Sequence, residues 1–105
     1  MTEQAPEHAF ASLADSLLES LEEAIGAETD AELQGGVLTI RGDAGTWVVN
    51  KHAPTRQVWL SSPKSGARHY AFDAPSGLWK DTRAAGDLLS TLSAELDVAL
   101  AWRPA

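Results

Sequence analysis

The sequence predicts an α/β (α+β) sandwich: two helices packed on one face of an antiparallel sheet, in the order α-β(5-6)-α, with an extended C-terminal tail. Three observations predict it. Apolar residues recur every three or four positions in one segment near each end of the chain. Between those segments they recur at every second position. Turn signals rich in Gly and Pro cut this middle part into short pieces.

Taken in order, residues 1–8 are polar and are expected to be flexible. Over residues 10–25 the positions Phe10, Leu13, Ala14, Leu17, Leu18, Leu21, Ala24 and Ile25 form the stripe of an amphipathic helix, and Gly26 is its natural stop. The period then changes to two. Leu38 and Ile40, Trp47 and Val49, Val58 and Leu60, and Tyr70 and Phe72 each alternate with neighbours of opposite parity, as in strands with one face on a core and one in water. A short strand over 78–81 follows. The breaks are Gly35-Gly36, Gly42-Asp43-Ala44-Gly45, Ala53-Pro54, Pro63-Lys64-Ser65-Gly66 and Pro75-Ser76-Gly77. A second helix is expected over 83–96 from Leu88, Leu89, Leu92 and Leu96. In the tail, Val98, Leu100 and Trp102 stand two apart, which reads as an extended segment closing one edge of the sheet. Each helix needs an apolar surface to cover, and the inner face of the sheet supplies it. One domain over residues 9–102 with a short tail, 103–105, accommodates all of this in 105 residues.

Composition narrows the chemistry. The chain has no Cys, which excludes disulfides, thiolate nucleophiles, Cys-ligated zinc and Cys-held clusters. Any metal must be met by oxygen or imidazole. No apolar run approaches the ~20 residues needed to cross a bilayer. Residues 1–34 contain nine acids and no Lys or Arg, whereas residues 35–105 contain six acids and eight bases, so the net charge of −7 is concentrated in the first third. Such a field repels nucleic acid and attracts cations or basic surfaces. An N-terminus without Lys or Arg resembles neither a secretory signal nor a transit peptide, so the expected compartment is the bacterial cytoplasm, with a trimmed mitochondrial matrix form as the alternative.

Two constellations stand out. Asp15, Glu19, Glu22 and Glu23 follow at steps of four, three and one along the helix face opposite the leucines. Like charges at such spacing cost an isolated helix roughly 0.2–0.5 kcal/mol per pair. They read either as a solvated face or as a ridge of hard oxygen ligands, which would also suit an Arg-rich partner. The second is Trp59, whose parity groups it with Gln57 and Ser61 on the watery side of its strand, together with Asn50 and His69 on the flanking strands. An indole there is either covered by a loop or the tail, or anchors a partner. Trp47 and Trp79 are expected in the core. His8, His52 and His69 make no metal-ligand spacing, and no nucleophile elbow, P-loop or dinucleotide fingerprint is present, so no catalytic residue is assigned.

The segments Gly36-Val37-Leu38-Thr39-Ile40, Gly45-Thr46-Trp47-Val48-Val49-Asn50-Lys51 and Gln57-Val58-Trp59-Leu60-Ser61-Ser62-Pro63-Lys64-Ser65-Gly66 resemble the central sheet of the frataxin family, CyaY in bacteria. The resemblance runs over residues 10–100 and is closer in wording to the mitochondrial kind. It implies a protein of iron–sulfur cluster assembly that binds iron (Fe²⁺ or Fe³⁺) weakly, holds no pre-formed cluster, and acts as iron donor, chaperone or regulator of a cysteine desulfurase–scaffold complex. The positions matching its acidic ridge are Asp15, Glu19, Glu22, Glu23, Asp30 and Glu32. Those matching its scaffold-facing surface are Asn50, Gln57, Trp59 and His69. It implies a monomer by default, with metal-driven oligomers, and a weak ferroxidase activity for which this chain has no enclosed di-iron constellation. The chain departs from the pattern in a short connection at 26–31, in a trimmed hairpin at 42–45, in His52 where Gln is usual and in His69 where Arg is usual. The departures imply a lower iron capacity and a weaker or pH-dependent scaffold contact. The alternative is an acidic adaptor whose partner binding needs no metal; a nucleic-acid mimic fits the charge but not Trp59.

Overall fold

A computed structural model describes residues 7–104, with side chains from residue 9. The chain runs α1 (Glu7–Gly26), β1 (Asp30–Gln34), β2 (Val37–Gly42), β3 (Gly45–His52), a 3₁₀ turn η1 (Ala53–Thr55), β4 (Gln57–Ser62), β5 (Gly66–Asp73), β6 (Leu78–Asp81) and α2 (Leu88–Leu96). The strands form one antiparallel meander in sequence order, so every connection is a hairpin. α1 lies over β1 to β3 and α2 over β6.

The core is what the two periods dictate. Phe10, Ala14, Leu17, Leu18, Leu21 and Ile25 of α1 are buried against Leu38, Ile40, Trp47, Val49, Val58, Leu60, Tyr70 and Trp79 of the sheet, with Leu88 and Leu92 from α2. Trp47 and Trp79 are buried as expected. Hydrogen bonds tie the layers together. Glu95 of α2 accepts from Trp47 Nε1 at 2.9 Å and from Ser62 Oγ at 2.6 Å. Tyr70 Oη donates to Thr91 Oγ1 at 3.2 Å.

The hairpins depend on glycine at two places. Gly35 and Gly36 both take positive φ (59° and 78°), as a two-residue turn between twisted strands requires. Gly45 has φ 136°, and a Cβ there would meet Pro63 Cβ at 2.9 Å, so the β2–β3 hairpin folds close against the β4–β5 turn.

Three expectations are corrected, and the expected five to six strands resolve to six. α1 begins at Glu7 rather than residue 10; of the stretch 1–8 read as flexible, residues 1–6 lie outside the described residues and Glu7 and His8 open the helix. β1 is a strand with only Ala31 and Leu33 turned toward the core, too few apolar residues for its period to show beside five clearer strands. α2 starts at Leu88, not residue 83. Asp81 Oδ1 accepts from the N–H of Arg83 and of Ala84, holding that stretch in a turn, and Asp87 then caps the helix by accepting from Ser90 N.

The tail does not close an edge of the sheet. It makes no strand pairing and crosses on the helix side, where Trp102 Nε1 donates to Ser16 Oγ of α1 at 3.1 Å. The Trp102 ring meets Phe72 and Trp79 at centroid distances of 6.2 and 6.1 Å. The two-residue spacing of Val98, Leu100 and Trp102 suits any extended segment with one apolar side, paired or not.

Candidate functional site

The acidic residues collect where α1 leans over the sheet edge at β1. They are not all free. Asp15 Oδ1 accepts from Lys51 Nζ at 2.7 Å. Arg41 Nη1 lies 3.4 Å from Asp30 Oδ2 and 3.9 Å from Glu32 Oε1 across the β1–β2 pair. Glu22 Oε2 accepts from the backbone N–H of Leu33 at 3.0 Å. Leu33 lies on the outermost strand, and the carboxylate satisfies an N–H that no further strand pairs with. Glu19 and Glu23 are exposed and have no ion pair or hydrogen bond among the described residues. The expectation of an acidic face without counter-charge therefore holds for part of the ridge only. The compensating cations come from β2 and β3, where the linear sequence gives no hint that they face the acids.

This arrangement is a string of carboxylates along an edge. Among the described residues no three His, Asp or Glu side chains converge on a point that could hold a metal ion. Chemically, such an edge offers one or two carboxylate oxygens at a time, with water completing the shell of any hard cation.

The second surface is the open face of the sheet. Register places Val37, Asn50, Trp59 and His69 in one row across β2, β3, β4 and β5, because Val37 pairs with Asn50, Asn50 with Trp59 and Trp59 with His69. Asn50, Trp59 and His69 are thus brought together as the parity argument expects. Among the described residues the ring and hydrogen-bond partners of the indole come from β3, β4 and β5, not from a loop or the tail. The indole is stacked between two imidazoles: His52 at a centroid distance of 3.7 Å and 12° between planes, His69 at 4.2 Å and 10°. Gln57 Oε1 accepts from Trp59 Nε1 at 2.8 Å. His52 Nδ1 is 2.8 Å from Thr55 Oγ1, which fixes that ring in turn. Trp59 is therefore held edge-outward as the middle plate of three, in one orientation. His52 is the residue that sequence reasoning placed on the surface without a role. Its parity with Asn50 was readable, but its approach to Trp59 depends on the length of the η1 turn and the left-handed Arg56 that closes it (φ 53°).

The acidic edge and the aromatic plate are joined by β3. Lys51 and His52 are consecutive, so their side chains leave opposite faces of the strand: Lys51 toward Asp15 on α1, His52 onto Trp59.

With this geometry in view, the sequence profile of the frataxin-like domain matches residues 3–101. The chain belongs to the frataxin family. It is 43% identical over 84 residues to the mitochondrial frataxin homolog of Schizosaccharomyces pombe, covering 79% of this chain and 53% of that protein. It is 37% identical over 92 residues to the iron–sulfur cluster assembly protein CyaY of Delftia acidovorans, covering 80% of this chain and 81% of that one. The chain thus spans about half the length of the Schizosaccharomyces relative and most of the bacterial one. Frataxin from Psychromonas ingrahamii superposes with a TM-score of 0.77 at 29% identity, covering 91% of this chain and 96% of that. Trimeric frataxin from Saccharomyces cerevisiae, solved as a ferrous complex, superposes with a TM-score of 0.65 at 36% identity, covering 92% and 88%. The two helices and six-stranded sheet of this frataxin-family chain are the fold that the resemblance implied.

Proposed function

We propose that this chain serves iron–sulfur cluster assembly as a docking protein that holds iron weakly, meeting basic residues of a cysteine desulfurase with its α1 edge and a scaffold protein with the plate around Trp59. The observation that carries the reading is the pair of surfaces on one fold: Glu19 and Glu23 without a counter-ion among the described residues, and Trp59 clamped on the open sheet face. Membership of a family with a member named for this process supports it. So does the ferrous complex of the yeast relative. The reading places the chain in the bacterial cytoplasm, where such machinery works.

A scattered edge of this kind suits transient iron cargo. Surface carboxylates that retain water around the ion bind with little selectivity and release readily. A monomer has both surfaces available; a metal-linked oligomer would need the same edge carboxylates from neighbouring copies. No ferroxidase role is assigned.

A second reading is favoured by one observation. Asp15, Asp30 and Glu32 already spend charge on Lys51 and Arg41. An adaptor that needs no metal would use the edge for partner docking only. Anaerobic NMR titration of the chain with Fe²⁺ separates the two. Saturable shifts confined to residues 15–32 support iron cargo, and a featureless titration to millimolar metal leaves the adaptor. Binding of a desulfurase–scaffold complex tests what both share: Trp59→Ala and the double substitution Glu19→Gln, Glu23→Gln should each weaken it about ten-fold or more. Unchanged affinity for both variants would discard the docking assignment.

A further inference from the structure

Among the described residues a basic pocket lies on the side of the molecule away from the acidic edge, at the corner where β6 turns away from β5. Ser65, Ala67, Arg68, His69, Asp81, Arg83 and Ala84 line an open cavity of about 320 Å³. Its one acid is fully engaged. Asp81 Oδ2 accepts from Arg68 Nη1 at 3.0 Å, and Oδ1 accepts from the backbone N–H groups of Arg83 and Ala84 at 2.8 and 3.1 Å. Burial pushes the Asp81 carboxyl up, but these donors outweigh it and hold it below its ordinary value, so it stays an anion that fixes Arg68 in place.

What remains is donor capacity with no acceptor. The Arg83 guanidinium has no acid partner among the described residues. Arg68 spends one nitrogen on Asp81, and its Nε is buried without a hydrogen bond. His69 forms part of the wall and is also the outer plate stacked on Trp59. In a chain of net charge −7, this corner gathers two arginines and a histidine around a single neutralised carboxylate.

We infer that the Arg68–Arg83 pocket is a carboxylate-binding site, and that it takes an Asp or Glu side chain of the protein that covers Trp59. The chemistry is that of a guanidinium presenting parallel N–H donors to a planar pair of oxygens. A protein carboxylate is favoured over a free anion by position. The pocket is open to solvent and continuous through His69 with the aromatic plate. The inference rests on the docking reading for Trp59. It adds polarity to it: the partner must be basic opposite α1 and acidic opposite this corner, which leaves one orientation for the complex.

The test uses the isotope-labelled full chain and a blocked tripeptide of three glutamates, with ionic strength held constant by NaCl, and inorganic phosphate as a second arm. Long-range charge repels both probes, so saturable shifts reflect the local site. Saturable shifts at Ala67, Arg68, His69, Arg83 and Ala84 are expected with the peptide, weakened about ten-fold by Arg83→Gln. That substitution leaves the Arg83 backbone N–H on Asp81, so the fold is kept. Absence of saturation, or shifts indifferent to Arg83→Gln, overturns the site. Phosphate saturating at lower concentration than the peptide overturns the carboxylate assignment. A chain that binds the peptide yet fails to dock on a desulfurase–scaffold complex would keep the carboxylate site and sink the docking reading together with the occupant assigned from it.

Discussion

At the scale of single residues, Glu95 shows how a part-buried charge ties the helix layer of this fold to the sheet. Its Oε1 accepts from both Trp47 Nε1 and Ser62 Oγ, joining α2 to β3 and β4. Burial alone raises the carboxyl, and the Ser62 and Trp47 hydrogen bonds more than reverse this, leaving it below its ordinary value of 4.5. A group depressed in the folded state contributes stability above its unfolded value and loses it as pH falls through the folded value. Glu95→Gln keeps an oxygen for both donors but removes the charge, and should cost about 1 kcal/mol at neutral pH. Below pH 4.5 the wild-type advantage should shrink, and the two unfolding curves, followed by urea denaturation from pH 7 to 3, should converge. A constant gap down to pH 3 would mean that the carboxylate charge contributes nothing.

Secondary-structure elements test a different kind of reasoning, in which the termini of elements matter more than their middles. Asp87 caps α2, a helix of nine residues, by accepting from Ser90 N and from Ser90 Oγ. Asp87→Ala should destabilise the chain by about 1 kcal/mol in urea, with the slope of the transition unchanged. Trp102→Ala should cost about 2 kcal/mol, less than a fully buried Trp because the ring is only half-buried, and would show that an unpaired tail is part of the core. These are the places where sequence reading fell short. Periods of 3.6 and 2 announce buried faces, and they located α1, β2 to β6, Trp47 and Trp79. They say little about where a polar side chain intercepts the backbone, as Asp81 does at Arg83 and Ala84. They are also silent on whether an extended apolar segment pairs with a strand or lies on a helix. The same limit applies to the candidate site. Parity put Asn50, Trp59 and His69 on one face, but the contacts of His52 with Trp59, Lys51 with Asp15 and Arg41 with Asp30 cross between elements and are set by register.

For the molecule as a whole, the acidic edge sets stability against binding. Glu19 and Glu23 are one helical turn apart, both exposed, and neither is relieved by a cation among the described residues. Like charges four apart on a helix repel by about 0.2–0.5 kcal/mol, and the repulsion is screened once the Debye length falls to a few ångström. Lys51 and Arg41 relieve the neighbouring acids and leave this pair uncompensated among the described residues, as the proposed docking edge requires. The double substitution Glu19→Gln, Glu23→Gln should therefore stabilise the free chain by about 0.2–0.5 kcal/mol in low salt. That gain should vanish near 1 M NaCl, and the affinity for a basic partner should fall with a shallower salt dependence. Lys51→Gln should do the opposite at the edge, freeing Asp15 and tightening Fe²⁺ binding about two-fold, the range of one exposed ion pair. Thermal unfolding across a salt series and anaerobic iron titration read these separately. If removing both glutamates destabilised the chain at every salt concentration, the carboxylates would be part of its internal bonding, and the edge would have no charge left over for a partner.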